Sequence, residues 1–304
     1  MKKVPIILDT DPGIDDAIAL GLALNCENID IKLITTVAGN VNITHTTRNA
    51  LDLLSFYERE DIPVAKGTSK PLIIPYEDAS EYHGINGLGD IEIPKSDVNV
   101  LENAVYEMRK LILNSKEKIT IIAIGPLTNI ALLISTFPEV KNNIQEIILM
   151  GGALGRGNKE PLIEYNIGAD PHAAKIVFNS KLKITMLGLE MGNNAKIDQE
   201  DIKHINNKVS NFFYNLLTKY RGAKDNTVSA IYDATAIAYL NNPNIFDVEY
   251  LFVDVEINGL YTNGTTIIDL RKIYNKESNV YVATKIDSKA FKKWVIDNLK
   301  SNKL

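Results

Sequence analysis

Short unbroken apolar runs alternate with longer stretches whose apolar residues recur every three or four positions. The runs at 4–9, 30–37, 119–124, 145–150 and 182–187 are rich in Ile, Val, Leu and Thr and free of charge at their centres. That is the pattern of strands buried on both faces. Between them the spacing predicts helices over 14–25, 43–58, 100–114, 128–136 and 171–179. Asp170-Pro171 supplies a helix cap followed by proline at the first helical position. Strand and helix in alternation imply an α/β fold, with a mostly parallel central sheet and helices on both faces. The last third changes character: 198–221 and 227–240 read as helices, and 250–283 as strands with a hairpin turn at Asn263-Gly264. A final helix is expected over 287–299. No Pro/Gly/Ser-rich linker, internal repeat or low-complexity tract divides the chain, so residues 1–304 read as one domain.

Composition narrows the class. The chain has 304 residues, 45% apolar and 23% charged, which suits a soluble globular protein with a sizeable core. A net charge of −5 and the lack of any basic block argue against a nucleic-acid binder. Cys26 is the only cysteine, so no intramolecular disulfide can form. The opening MKKVPIILDT has an apolar run too short for a signal peptide or a membrane span, and a cytoplasmic address is expected.

Ligands of open α/β sheets bind at the carboxyl ends of strands. The informative residues fall at such ends: Asp9 and Asp11, Val37 to Asn40, Ile124 to Asn129, and Met150 to Gly152. In "DTDPGIDDA" (9–17) the carboxylates of Asp9, Asp11, Asp15 and Asp16 crowd together. A helix dipole explains acids in a first turn, hence Asp15 or Asp16 alone, but not Asp9 and Asp11 upstream. Close carboxylates raise one another's pKa unless a cation neutralises them. A cluster that is all oxygen, with no His or Cys beside it, suits Ca²⁺ or Mg²⁺ and argues against Zn²⁺. An Asp-x-Asp after the first strand also opens haloacid-dehalogenase-type phosphotransferases, with one Asp as nucleophile. The continuation Pro12-Gly13-Ile14-Asp15-Asp16 departs from that pattern. The glycine-rich stretch 151–158 fits neither common phosphate-binding motif.

These blocks resemble the nucleoside N-ribohydrolases, of the inosine-uridine-preferring type. DTDPGIDDA (9–17), TTVAGN (35–40), IGPLTNIA (124–131), LMGG (149–152), EYNIGADP (164–171) and YDATA (232–236) match family blocks in order over essentially the whole chain. The resemblance implies a Rossmann-like fold with C-terminal helices and a small hairpin region, a bound Ca²⁺, and hydrolysis of ribonucleosides to base and ribose in nucleoside salvage. Asp11, Asp16 and Asp233 match carboxylate ligands of the ion, and Ile124 matches a position that offers its backbone carbonyl. Asp15 and Asn40 match residues that bind the ribose 2′- and 3′-hydroxyls. Asn158, Glu164 and Asn166 match the group around the 5′-hydroxyl, and Met150 a residue beneath the sugar. Asp9 is expected to support the loop from behind. Asp11 is the expected base, because Ca²⁺ acidifies water less than Zn²⁺ does. The small-molecule partner is a ribonucleoside, with no nucleic acid or membrane, and a homodimer or homotetramer is implied. A catalytically silent nucleoside-binding protein is the non-enzymatic alternative.

On the leaving-group side the chain departs from the family. Some members carry a histidine directly before the late metal Asp as acid for the base; here that residue is Tyr232. A purine-selective branch has a stacking aromatic there. His83, in EYHGINGLGD (81–90), matches a histidine of the first group, so features of both are mixed. Taken alone, His83 reads as a surface-loop histidine and Tyr232 as a core residue of a helix. Tyr220 precedes RGAKDN (221–226), which is expected to interrupt the helix and leave Tyr220 on a flap over the site. His45, His172 and His204 show no partners in the sequence and receive no role.

Overall fold

The computed structural model describes residues 3–220, 227–302 and 304. The five apolar runs become β1 (Val4–Thr10), β2 (Ile29–Thr36), β5 (Ile119–Ala123), β6 (Ile144–Met150) and β7 (Ile184–Leu187), and two short strands not expected from the pattern, β3 (Val64–Lys66) and β4 (Leu101–Glu102), lie between β2 and β5 in the chain. Later come β8 (Ile197–Asp198), β9 (Val228–Ser229), β10 (Phe246–Leu251), β11 (Val253–Val255), β12 (Thr266–Ile268) and β13 (Val280–Ile286). The main sheet runs β10-β13-β7-β6-β5-β1-β2-β3-β4. Every neighbouring pair in it is parallel except β10 and β13. The expected mostly parallel sheet with helices on both faces is therefore present.

Successive residues of β1 explain why its apolar run is unbroken. Ile6 and Leu8 belong to one buried cluster, with the helices Ile14–Asn25, Lys208–Lys219 and Ser288–Ser301. Ile7 belongs to the other, with the helices Ala104–Asn114, Thr128–Thr136 and Pro171–Phe178. A strand covered on both sides needs apolar residues at both parities. The chain leaves β1 toward β2, β3 and β4 on one side and toward β5, β6 and β7 on the other. The reversal between β1 and β5 is the switch point at which such sheets open a crevice.

Four expectations need correction. The helix expected over 100–114 begins only at Ala104, after β4 and after Asn103, which adopts a left-handed φ of 65° and caps it. The stretch 198–221 is two helices, Gln199–Lys203 and Lys208–Lys219. Asn206 takes a φ of 56°, and Asn207 forms a capping box with Ser210, so a new helix starts there. The stretch 227–240 opens with β9, paired to β8, and turns helical only at Ala234. Apolar residues recur on both sides of the break, which hides it. Finally, β11 and β12 do pair as an antiparallel hairpin. Asn263-Gly264 lies within the loop 256–265 that joins them, with Gly264 at φ 104°, and is not a two-residue turn. No helix among the described residues is long and apolar enough to cross a membrane.

Candidate active site

The loops after β1, β2, β5 and β6 border a cavity of about 650 Å³ whose lining includes Asp15, Asn40, Ile124, Met150 and Asp233. The acidic turn between β1 and the helix Ile14–Asn25 meets the cavity at Asp15, with Asp11 and Asp16 outside its lining. Asp16 ties that turn together. Its carboxylate accepts from Thr10 Oγ1 (2.5 Å), Asp11 N (3.2 Å), Gly13 N (2.9 Å) and Asn40 Nδ2 (2.9 Å). Asp233, at the start of the helix Ala234–Asn241, approaches from the other side. Carboxylate oxygens of Asp15, Asp16 and Asp233 lie within 4.8 Å of one another. Asp11 Oδ2 accepts from Asn40 N at 2.7 Å, while buried Oδ1 has no hydrogen-bond partner among the described residues.

The surrounding glycines make this crowding possible. A side chain at Gly39 or Gly125 would collide with the Asp11 carboxylate. That gives the glycines of "VAGN" and "IGPL" a steric meaning: they admit Asp11 between two loops. Behind it, Asp9 Oδ1 accepts from Asn129 Nδ2 at 2.8 Å and from the Thr35 hydroxyl, joining β1 to β2 and to the loop after β5.

Burial, and then the neighbouring acids, drives these groups toward their protonated forms. Asp11 and Asp233 are held well above the carboxylate range, and Asp16 is also raised, there by burial. Burial and the charge of Asp16 push Asp15 up to about 7. Burial pushes Asp9 up to about 7 as well. Such a group cannot be fully ionised unless positive charge joins it. An all-oxygen donor set with one orphaned carboxylate oxygen fits a hard divalent cation.

Next to the acids, Asn166 Nδ2 donates to the carbonyls of Ile124 (3.0 Å) and Met150 (3.1 Å). Glu164 caps the helix Tyr165–Ala169, accepting from Asn166 N, Ile167 N and Gly152 N at 2.8 to 3.0 Å. Burial pushes its carboxyl up to about 7. Asn158 Oδ1 accepts from Tyr165 N at 2.8 Å. Met150 closes β6 with its side chain buried. Asn158, Glu164, Asn166 and Met150 thus border the same cavity as Asp15 and Asn40.

His83, Tyr220 and Tyr232 line it as well. His83 is only 5% exposed, not a surface-loop residue. It ends the short helix Ser80–His83 and packs over Gly13, where a side chain would displace it. Its Nδ1 accepts the Ile14 N–H at 3.0 Å, so the imidazole proton sits on Nε2. Burial lowers its pKa to about 4. Tyr220 follows the last turn of Lys208–Lys219, and its ring centre is 5.3 Å from that of His83. The 221–226 segment, expected to break the helix beyond it, lies outside the described residues. Tyr232 is not inside a helix but just before Asp233, half-buried over Gly192. Its hydroxyl donates to Asn193 Oδ1 at 2.9 Å, and burial pushes it up to about 12.

Three residues around the cavity escaped the sequence reading. Tyr165 Oη donates to the Gly39 carbonyl at 2.8 Å, and Tyr76 Oη reaches the same oxygen at 3.4 Å. Lys159 pairs with Glu77 at 2.7 Å and lies over the Tyr165 ring. Their partners are remote in sequence. Only the position of Tyr165 inside EYNIGADP hinted at the site.

The sequence and structure were compared with known proteins. The family model for inosine-uridine preferring nucleoside hydrolase matches residues 6–293. The chain is 41% identical over 300 residues to a non-specific ribonucleoside hydrolase, RihC, of Escherichia fergusonii, covering 98% of each. A purine-preferring ribonucleoside hydrolase from Gardnerella vaginalis superposes with a TM-score of 0.90 at 29% identity, over 97% of this chain and 98% of that one. A plant nucleoside hydrolase, PpNRh1, superposes at 0.91 and 29% identity, over 98% and 99%. Neither the phosphotransferase nor the silent-binder alternative gains support from these relatives.

Proposed function

The chain belongs to the inosine-uridine preferring nucleoside hydrolase family, and on that premise we propose how its cavity works. The enzyme hydrolyses the N-glycosidic bond of ribonucleosides. We assign its cation as one Ca²⁺, held by Asp11, Asp16, Asp233 and the Ile124 carbonyl. The observation that carries this assignment is the convergence of the Asp15, Asp16 and Asp233 carboxylates within 4.8 Å, a trio that does not itself include Asp11, together with buried Asp11, which feels the charge of Asp16 and leaves Oδ1 without a partner among the described residues. When bound, the cation supplies Lewis acidity and a template for water and the ribose diol.

The chain's own groups do the rest. Asp15 and Asn40 hold the 2′- and 3′-hydroxyls. Asn158, Glu164 and Asn166 surround the 5′-hydroxyl, and Met150 underlies the ring. Asp11 accepts a proton from the water that attacks C1′. The reaction passes through an oxocarbenium-like state, as in O-glycoside hydrolysis, and the buried carboxylates lie where positive charge develops. Asp9 braces the loop through Thr35 and Asn129. On the leaving side, His83 offers the departing base a hydrogen bond from Nε2–H. With Nδ1 occupied by a backbone N–H, it is a donor and not a charged acid. Tyr220 and Tyr232 supply aromatic surface.

We further infer a single domain, because one sheet collects strands from β1 to β13. A cytoplasmic address agrees with a lone, buried cysteine. A homodimer or homotetramer is the expected assembly, which light scattering would check. The decisive experiment incubates the pure protein with inosine, uridine and adenosine, assays free ribose, and measures metal content before and after chelation. Ribose release from none of them would sink the catalytic reading. Full activity with verified absence of metal would sink the cation.

A further inference from the structure

The Gly39–Asn40 peptide unit is gripped at both ends. Its carbonyl accepts from Tyr165 Oη at 2.8 Å and from Tyr76 Oη at 3.4 Å. Its N–H donates to Asp11 Oδ2 at 2.7 Å. Carbonyl and N–H of one peptide are coplanar, so fixing one fixes the other. Tyr165 lies in the helix Tyr165–Ala169, far along the chain from the loop after β2, and belongs to neither β1 nor β2. We propose that Tyr165 is a positioning residue for hydrolysis: through this peptide it sets the rotation of the Asp11 carboxylate, and so aims Oδ1 into the reaction site. The inference rests on the assignment of Asp11 as the base.

Three observations support it. The Asp11 carboxylate accepts one bond, from Asn40 N, and its other oxygen has no partner among the described residues. Among the protein's own groups, that amide and the flanking glycines therefore set its orientation, and they aim the carboxylate that the assigned cation and the attacking water share. The loop offering the amide has Gly39 at its turn, because any side chain there would strike Asp11. Glycine fits sterically but leaves the peptide soft. A hydroxyl clamp from a separate element removes the softness. Finally, the Tyr165 hydroxyl also reaches the Glu77 carbonyl at 3.4 Å, and Lys159 over its ring pairs with Glu77. The phenol is thus held in place from the solvent side as well. A chain of bonds from phenol to peptide to carboxylate polarises each member along the same direction.

The role is one of aim, so its loss should fall on turnover and not on affinity. Small displacements of a reacting group cost roughly tenfold to a hundredfold in rate. Tyr165→Phe keeps the ring under Lys159 and removes only the clamp. On inosine it should lower kcat by about tenfold and leave KM within about twofold. Tyr76→Phe, at the longer contact, should cost less, and the double variant more than either. Tyr165→Leu controls for the ring: it should lose at least as much kcat as Phe and also raise KM. The thermal midpoint of Tyr165→Phe should stay close to wild type. Unchanged kcat in Tyr165→Phe overturns the proposal. So does a rise in KM with kcat preserved, which would make the hydroxyl a substrate contact. A kcat loss that follows the fraction unfolded makes it merely structural and overturns it too. If the wild type itself releases no ribose, the nucleoside hydrolase reading fails first, a result distinct from any of these.

Discussion

The two walls of the cavity are held by different means. On the acid wall, strand ends and backbone amides fix the side chains. Asp16 accepts hydrogen bonds from Thr10, Asp11, Gly13 and Asn40, and Glu164 from Gly152, Asn166 and Ile167. The aromatic wall rests on element ends. His83 closes a helix of 4 residues, Tyr220 caps another, and Tyr232 precedes a third. His83 is held by one backbone bond and Tyr232 by one bond to the exposed Asn193. In the proposed mechanism bond-breaking at C1′ occurs against the first wall, where errors of a few tenths of an ångström matter. The second wall is there proposed to meet the base, which varies among ribonucleosides, so looser support would cost less. If this contrast is right, damage to the first wall should act mainly on rate, and damage to the second more gently.

The largest effect is expected at Asp11. Asp11→Asn removes a ligand charge and the proton acceptor together, and kcat on inosine should fall by about a thousandfold or more with the fold kept. A loss under about tenfold would remove Asp11 from the role of base. Asp233→Ala should lose bound metal and activity in parallel, as elemental analysis alongside the assay would reveal.

Next is the sugar. Asp15 and Asn40 are buried polar groups assigned to the diol, and a substrate lacking the 2′-hydroxyl would leave them unpaired. 2′-Deoxyinosine should therefore be cleaved at least about a hundredfold less efficiently than inosine. Comparable kcat/KM for the two would detach Asp15 and Asn40 from the ribose.

A stability measurement separates the walls by pH. Asp9, Asp15 and Glu164, pushed up to about 7 from ordinary values of 3.8 to 4.5, keep protons that the unfolded chain releases. Their contribution is complete below about pH 4 and is lost as pH rises through about 7. His83, lowered to about 4 from 6.5, has the opposite sign: its contribution is present above 6.5 and is lost as pH falls through about 4. The carboxylates outnumber the histidine, so chelated protein should lose stability between about pH 4 and pH 7. Added Ca²⁺ favours the ionised acids, and should raise the melting temperature more near pH 7 than near pH 5, by several degrees. An equal shift at both pH values would place the cation elsewhere.

What could be read from the sequence follows the same division. The acidic turn was legible because Asp9, Asp11, Asp15 and Asp16 lie within a few positions of a strand end, where crowded carboxylates leave a local signature, whereas Glu164 and Asp233 were indicated only by the family resemblance. The sheet was legible because burial on both faces removes polar residues from each central strand. The second wall depends on contacts the chain makes over long separations. His83 looks like a loop residue until Gly13 opens a place for its ring, 70 positions upstream. Tyr165 carries no signal of its own between Glu164 and Asn166, since its partner Gly39 comes from another loop. The helix breaks at 204–207 and before Ala234 were invisible because apolar spacing continues across them, while Asn206 and the short β8–β9 pair decide otherwise.

The smallest effect is expected at Tyr232, and it tests the second wall most directly. A phenol beside a departing base can help in two ways. Proton donation is typically worth about 10² to 10⁴ in rate. Ring packing is worth about 0.5 to 1.5 kcal/mol beyond burial, or roughly two- to twelvefold. Two facts favour packing. The hydroxyl already donates to Asn193 Oδ1 at 2.9 Å, and burial pushes its pKa up to about 12, which makes it a worse acid than a free phenol. The ring, by contrast, is set on a platform cleared for it by Gly192. Tyr232→Phe should then cost less than about tenfold in kcat on inosine. Tyr232→Ala should cost more than Phe, with a larger share in KM, because it empties the wall against which the base packs. A Phe variant as inactive as Ala would make the hydroxyl the activator of the leaving group, and the second wall would then be as exacting as the first. Near-wild-type rates in both variants would put Tyr232 outside the working cavity, leaving His83 and Tyr220 to face the base alone.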